Sequence, residues 1–134
     1  MRTRMSRRTR RSGGTGGTYD VYLASRAWRD KRREWYAAWL TTAGAEPACL
    51  VCGRPWTLKS GHLHHATYVR VGAEDVRDLL PLCRRHHHLL HSILDADAGW
   101  QRYSRPHATA GIIAILRRAQ PRRPSTATLP PAQS

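Results

Sequence analysis

Phenylalanine is absent from this 134-residue chain, and lysine nearly so, with Lys31 and Lys59 alone. Acids are scarce: 9 Asp plus Glu stand against 23 Lys plus Arg, a formal charge of +14. Apolar runs such as Ile112 to Leu116 fall far short of a bilayer's thickness, which excludes an integral membrane protein. Cysteines number three, so a closed disulfide framework would leave one thiol over. The first eighteen residues hold no apolar stretch of the kind a secretory signal needs. They also lack the Leu or Phe that would make an Arg-rich transit peptide amphipathic. Together these absences argue against a secreted disulfide scaffold and for a reducing compartment with thiolate metal ligands. With 40% apolar residues, 10 glycines and 8 prolines, any core is small. A core of that size needs a metal or a partner to hold it.

What is abundant is arginine. Its planar fork matches phosphate oxygens in pairs, so a polyanion such as DNA or RNA is the expected partner, although a GC-rich coding bias also enriches Arg. Residues 1–18 carry six arginines, no acid and the run Gly13-Gly-Thr-Gly-Gly17, and read as a disordered basic arm. Residues 19–45 read as a lead-in helix. Leu23, Ala27, Trp28, Trp35, Ala38 and Trp39 recur at helical spacing, with Ser25 as N-cap and Gly44 as C-terminal stop. Residues 46–100 hold all three cysteines and seven of the eight histidines. Residues 101–134 read as a partly disordered extension, with a short helix at Ile112 to Arg118 and a Pro-, Ser- and Thr-rich tail.

Two sets of metal-ligating residues stand out. Cys49-Leu-Val-Cys52-Gly53 has the form of a zinc knuckle, and thirty intervening residues later comes Cys83-Arg-Arg-His86. A Cys3His set suits tetrahedral zinc, whose binding adds folding free energy directly. The choice of His86 as fourth ligand rests on spacing alone, and His87 and His88 stay open. In the second set, His64 and His65 are adjacent in a short strand and so point to opposite faces. His87 and His91 lie four apart in a segment of helical periodicity, on one face. His64, His87 and His91 can form a three-imidazole site with open coordination positions. His62, His88 and His107 read as solvated residues.

Taken in order, the pieces are Cys49-x2-Cys52, then Leu63-His64-His65-x2-Tyr68-x-Arg70-x-Gly72-x-Glu74, then Asp78-Leu-Leu-Pro-Leu-Cys83-x2-His86-His87-x3-His91. This combination resembles the HNH endonuclease family, closest to its small phage and bacterial members. The resemblance covers about residues 46–95, and Tyr22-Leu-x-Ser25-x2-Trp28 is similar to the helix that precedes the domain in those proteins. It implies an α+β fold: a small ββα-metal (His-Me finger) domain stapled by structural zinc, on Cys49, Cys52, Cys83 and His86. It implies a catalytic divalent ion (Mg2+, Mn2+, Ni2+ or Zn2+) on His64, His87 and His91. His65 would be the general base, and Asp78, where the family nominally has Asn, would orient it. The implied activity is metal-dependent hydrolysis of DNA phosphodiester bonds, by nicking or double-strand cleavage. The implied setting is the cytoplasm of a bacterium or phage-infected host, beside a phage terminase or other packaging proteins. Arg70, Arg77, Arg84 and Arg85 lie near this constellation in sequence and are candidate phosphate clamps. The competing reading is a non-catalytic zinc-finger module that binds nucleic acid.

Overall fold

A computed structural model describes residues 15–121, which form a small α+β unit of four helices and a two-stranded antiparallel sheet. Most of the N-terminal arm and the end of the tail lie outside the described residues. Residues 15–18, expected to be loose, are the first turn of helix α1 (Thr15–Leu23). Gly16 and Gly17 disfavour a helix, but tertiary contacts hold this one. The Tyr19 hydroxyl meets His65 Nδ1 at 2.9 Å, and the Tyr22 hydroxyl donates to Glu74 Oε1 at 2.8 Å.

The expected lead-in helix is in fact two. Ser25 adopts an extended backbone (φ −89°, ψ 165°) and its Oγ accepts from Trp28 N, which stops α1 and starts α2 (Arg26–Ala43). Gly44 ends α2 in the left-handed region at φ 70°, with its N–H on Leu40 O, a conformation glycine adopts without steric cost. Along α2, Trp28 and Trp35 share the buried face, seven residues and nearly two turns apart.

Strands β1 (His62–His65) and β2 (Leu79–Leu82) pair with His62 opposite Leu82 and His65 opposite Leu79. The period of two divides the sheet's side chains cleanly. Leu63, His65 and Leu79 face α2 and its tryptophans, forming one core with Trp28, Trp35 and Trp56. Two of the indole N–H groups are satisfied there: Trp35 Nε1 donates to Leu79 O at 3.1 Å, and Trp56 Nε1 to His62 O at 2.7 Å. Gly61 leaves room for Trp56, because a Cβ at that position would collide with the indole.

The other face carries His62, His64, Leu80 and Leu82 toward α3 (Arg84–Ala96) and α4 (Arg105–Arg118). A second core gathers Cys49, Val51, Leu82, Leu90, Leu94, Ile112, Ile113 and Leu116. Burying each such aliphatic side chain contributes roughly 1.5–3 kcal/mol. Helix α4 therefore begins earlier than the short helix expected at 112–118 and completes the core. Residues on both sides of position 100 contribute to this core. Ser104 caps α4, accepting from His107 N, and its Oγ also meets His107 Nδ1 at 2.8 Å, so His107 is a capping partner and not merely solvated.

Candidate metal centres

The first centre is built by two turns brought together at the end of β2. Cys49 and Cys52 flank a tight turn in which Gly53 N donates to Cys49 O at 2.9 Å, with Gly53 at φ 76°. Cys83 sits at the N-cap of α3, and His86 lies three residues on, in its first turn. One ligand atom from each of Cys49, Cys52, Cys83 and His86 lies within 4.8 Å of all the others. The separations are 3.8 Å for Cys49 Sγ to His86 Nδ1, 3.3 Å for Cys83 Sγ to His86 Nδ1, and 4.0 Å for Cys52 Sγ to Cys83 Sγ. Tetrahedral zinc with bonds of about 2.3 Å to sulfur and about 2.05 Å to nitrogen sets edges of about 3.8 Å and 3.5 Å. The cluster thus fits a metal ion such as zinc, and His86 is the imidazole that joins it. His87 belongs to the other cluster, and His88 is exposed. Burial pushes the Cys49 thiol up, but backbone N–H groups of the two turns outweigh it and hold the thiol below its ordinary value. Gln120 stands 3.4 Å from His86 Nε2. With its amide oxygen turned inward, it would accept the Nε2 proton and leave Nδ1 as the ligand.

The second centre lies where β1, α3 and α4 meet. His64, His87 and His91 each offer a ring nitrogen within 4.8 Å of the others, with ring centroids 4.8–5.6 Å apart. His64 is fully buried. Its Nε2 meets Thr109 Oγ1 at 3.0 Å, while its Nδ1 is buried with no hydrogen-bond partner. An unsatisfied buried acceptor costs about 1–3 kcal/mol, so Nδ1 calls for a ligand. If the hydroxyl accepts the Nε2 proton, Nδ1 is free as a lone-pair donor, the arrangement a metal-binding histidine needs. His62, read from sequence as solvated, is half-buried and meets His87 Nδ1 at 2.9 Å, which leaves His87 Nε2 to complete the set.

Burial, followed by the positive charge of Arg105, drives the His64 pKa down to about 2, and burial brings His87 to about 3. These folded-state values lie below the unfolded ~6.5. Protein with this imidazole site empty therefore keeps this stabilising contribution above about pH 6.5 and loses it as the unfolded chain gains protons below that. The urea midpoint of protein carrying zinc on the Cys3His set alone should fall steadily from pH 7.5 to pH 5. A flat midpoint over that range would contradict the burial of neutral imidazoles.

His65 lies across the sheet from this trio. It is 2% exposed, stacks on Trp28 at 5.1 Å and is edged by Tyr19 at 5.5 Å. Its Nε2 contacts Glu74 Oε2 at 2.7 Å and its Nδ1 the Tyr19 hydroxyl at 2.9 Å. Glu74 is 4% exposed. Burial pushes its carboxyl up, but hydrogen bonds from His65 and Tyr22 prevail and hold it below the usual range. In the described conformation α1 stands over His65 and shields it.

Asp78 also departs from expectation. Its carboxylate does not reach His65. Arg70 grips it through Nε (2.8 Å) and Nη2 (2.6 Å), and Asp75 N donates to it at 2.9 Å. Those hydrogen bonds from Arg70 hold Asp78 below the ordinary carboxylate range. The pair fixes the loop between the strands, and the Asp78 carbonyl accepts from Ala66 N, just past the doublet, at 2.8 Å. Arg70 thereby gives its Nε and Nη2 to Asp78, while its side chain stays exposed. Arg77, Arg84 and Arg85 are exposed, and Arg77 stands 3.6 Å from Asp75.

The cation that approaches the trio is Arg105, a residue outside every motif of the sequence. Its Nε donates to His65 O at 2.9 Å, its guanidinium lies 4.2 Å over the Tyr68 ring, and its Nη2 is buried without a partner. Its charge lowers the pKa of both His64 and His91, after burial. Glu74, Thr109, Tyr19 and Arg105 all act here across 9 to 46 residues of sequence. Only Glu74 carried any signal, as a member of the quoted motif.

No protein-family model, curated protein or solved structure matches the chain. None of the four helices is long and apolar enough to cross a membrane, among the described residues.

Proposed function

We propose that the chain is a metal-dependent endonuclease of the HNH type, hydrolysing DNA phosphodiester bonds in a bacterial or phage-infected cytoplasm. The observation that carries this reading is the orphaned Nδ1 of His64, buried between two further imidazoles beside an unpaired Arg105 donor. A three-imidazole set with open positions is the donor arrangement of a hydrolytic ion, distinct from the closed Cys3His set. A divalent ion bound there would supply counter-charge to the phosphate and its leaving oxygen.

The chain's own groups divide the remaining work. His64, His87 and His91 hold the ion. Arg105, pinned by His65 O and Tyr68, would offer its Nη2, buried in the described conformation, to a non-bridging phosphate oxygen once the chain above it opens. Glu74 fixes His65 with the proton on Nε2, so the basic lone pair sits on Nδ1. In the described conformation the Tyr19 hydroxyl occupies that lone pair, and a water would take its place when α1 withdraws. The reading thus requires α1 to move.

A second reading, a non-catalytic zinc-stapled module that binds nucleic acid, is favoured by one observation: both ring nitrogens of His65 are engaged and shielded. Nicking of supercoiled plasmid separates the two. Wild-type protein should nick with added Mg2+, Mn2+ or Ni2+ and stop with EDTA. Assayed below a melting temperature that should itself fall, because Glu74 loses its buried partner, His65→Ala should bind DNA but nick at least about a hundredfold more slowly, the range for loss of a general base. Undiminished nicking by His65→Ala would remove His65 from the base role. No metal-dependent nicking by the wild type would favour the binding module.

A further inference from the structure

A groove of about 460 Å³ opens between the start of α2 and the turn leading into β1, and it ends at His62 and His87 of the imidazole cluster. Its lining includes Arg29, Arg32 and Lys59, and no acidic side chain contributes. Arg29 and Arg32 lie three apart on one face of α2, and Lys59 stands on the opposite wall. The acids of this helix are turned to other cations: Glu34 pairs with Lys31 at 3.2 Å and Asp30 with Arg33 at 3.8 Å. Among the described residues, neither Arg29 nor Lys59 forms an ion pair. Arg32 has a structural task as well, donating from Nη2 to Leu58 O at 2.6 Å with its guanidinium 5.2 Å from the Trp56 ring.

Unpaired cations crowded along one cleft repel each other, and an anion relieves that repulsion. We infer that this groove is the path of one DNA strand: its phosphates sit on Arg29, Arg32 and Lys59 and lead toward the imidazole cluster. The cleft has the volume of a small-ligand site, enough for one or two nucleotides and too small for a duplex. Tyr19, on α1, forms part of the wall, so α1 stands between the groove and His65. Residues 1–14, with their six arginines, lead into that same helix. This assignment rests on the nuclease reading for its choice of DNA.

The test is fluorescence anisotropy of a labelled phosphorothioate oligo(dT), which keeps its charges and resists hydrolysis, titrated with the full chain over a range of salt. The variant is Arg29→Ala/Lys59→Ala, since both side chains are exposed and neither is a fold contact. Arg117→Ala/Arg118→Ala, at the far end of α4, loses the same charge away from the groove. Each phosphate contact on a single strand contributes about 0.7 to the slope of log K against log salt. Losing two lowers the slope by about 1.4 and weakens binding about tenfold at 0.15 M salt. That loss is expected for the groove pair, with a markedly smaller one for the control pair. Equal losses in both pairs, or none in the groove pair, would overturn the assignment. So would a loss seen only with duplex DNA. Because binding is read without cleavage, an inactive wild type in the plasmid assay leaves this result standing. An active wild type with an unaffected groove pair sinks the groove alone.

Discussion

Cys83→Ser should lower the melting temperature by about 15 °C or more in zinc-containing buffer. Cys83 joins Cys49, Cys52 and His86 at the start of α3, and all three cysteines pack on the core that α3 and α4 share with the sheet. Zinc binding at such sets contributes about 10–16 kcal/mol in small peptides, comparable to the whole stability of a domain this size. A serine hydroxyl is a far weaker ligand than a thiolate, so even partial loss removes at least about 3 kcal/mol. For a domain of about a hundred residues each kcal/mol is worth about 4–8 °C. The origin of the effect is checked by a strong chelator, in which wild type and variant should melt nearly together. Equal melting temperatures in zinc buffer would mean that the cluster binds nothing of consequence.

His91→Ala should abolish metal-dependent nicking, by about a hundredfold or more, while leaving the melting temperature in zinc buffer within a few degrees of wild type. The two readouts separate because His91 is only half-buried and belongs to the imidazole cluster alone. His64, fully buried against Thr109, is a poorer choice, since its removal would also open a cavity. A hundredfold loss corresponds to about 2.7 kcal/mol of transition-state stabilisation, modest for losing a ligand of the ion that meets the phosphate. Rates unchanged in His91→Ala would detach the three imidazoles from the chemistry.

Much of this was legible in the sequence because its signals are local. Cys-x2-Cys and Cys-x2-His put ligands on single turns, and His87 and His91 fall on one face of one helix. The adjacent His64 and His65 separate to opposite faces simply because they lie in a strand. The caps at Ser25 and Gly44 were readable for the same reason. The Ser25 signal also implied a break that helical periodicity obscured, and α1 and α2 are two helices where one was expected.

The illegible parts are all non-local. Nothing in the pattern around Ile112 announces that Thr109 will meet His64, or that Arg105 will reach the His65 carbonyl forty residues back. Asp78 stands at the position of a motif letter, but a letter does not fix what its carboxylate meets. An oppositely charged residue in the same irregular loop, Arg70, takes its carboxylate instead, and Glu74 takes the imidazole. A likeness in motif letters cannot assign which acid faces which base, because that is decided by contacts between separate segments.

The most direct measurement is a count of tightly and loosely held divalent ions by native mass spectrometry, on wild-type and His91→Ala protein. Wild type should carry one zinc that survives mild chelation and a second, exchangeable ion, and His91→Ala should carry the first alone. A single ion in both proteins would contradict a second metal centre on His64, His87 and His91, and with it the proposed hydrolysis of DNA.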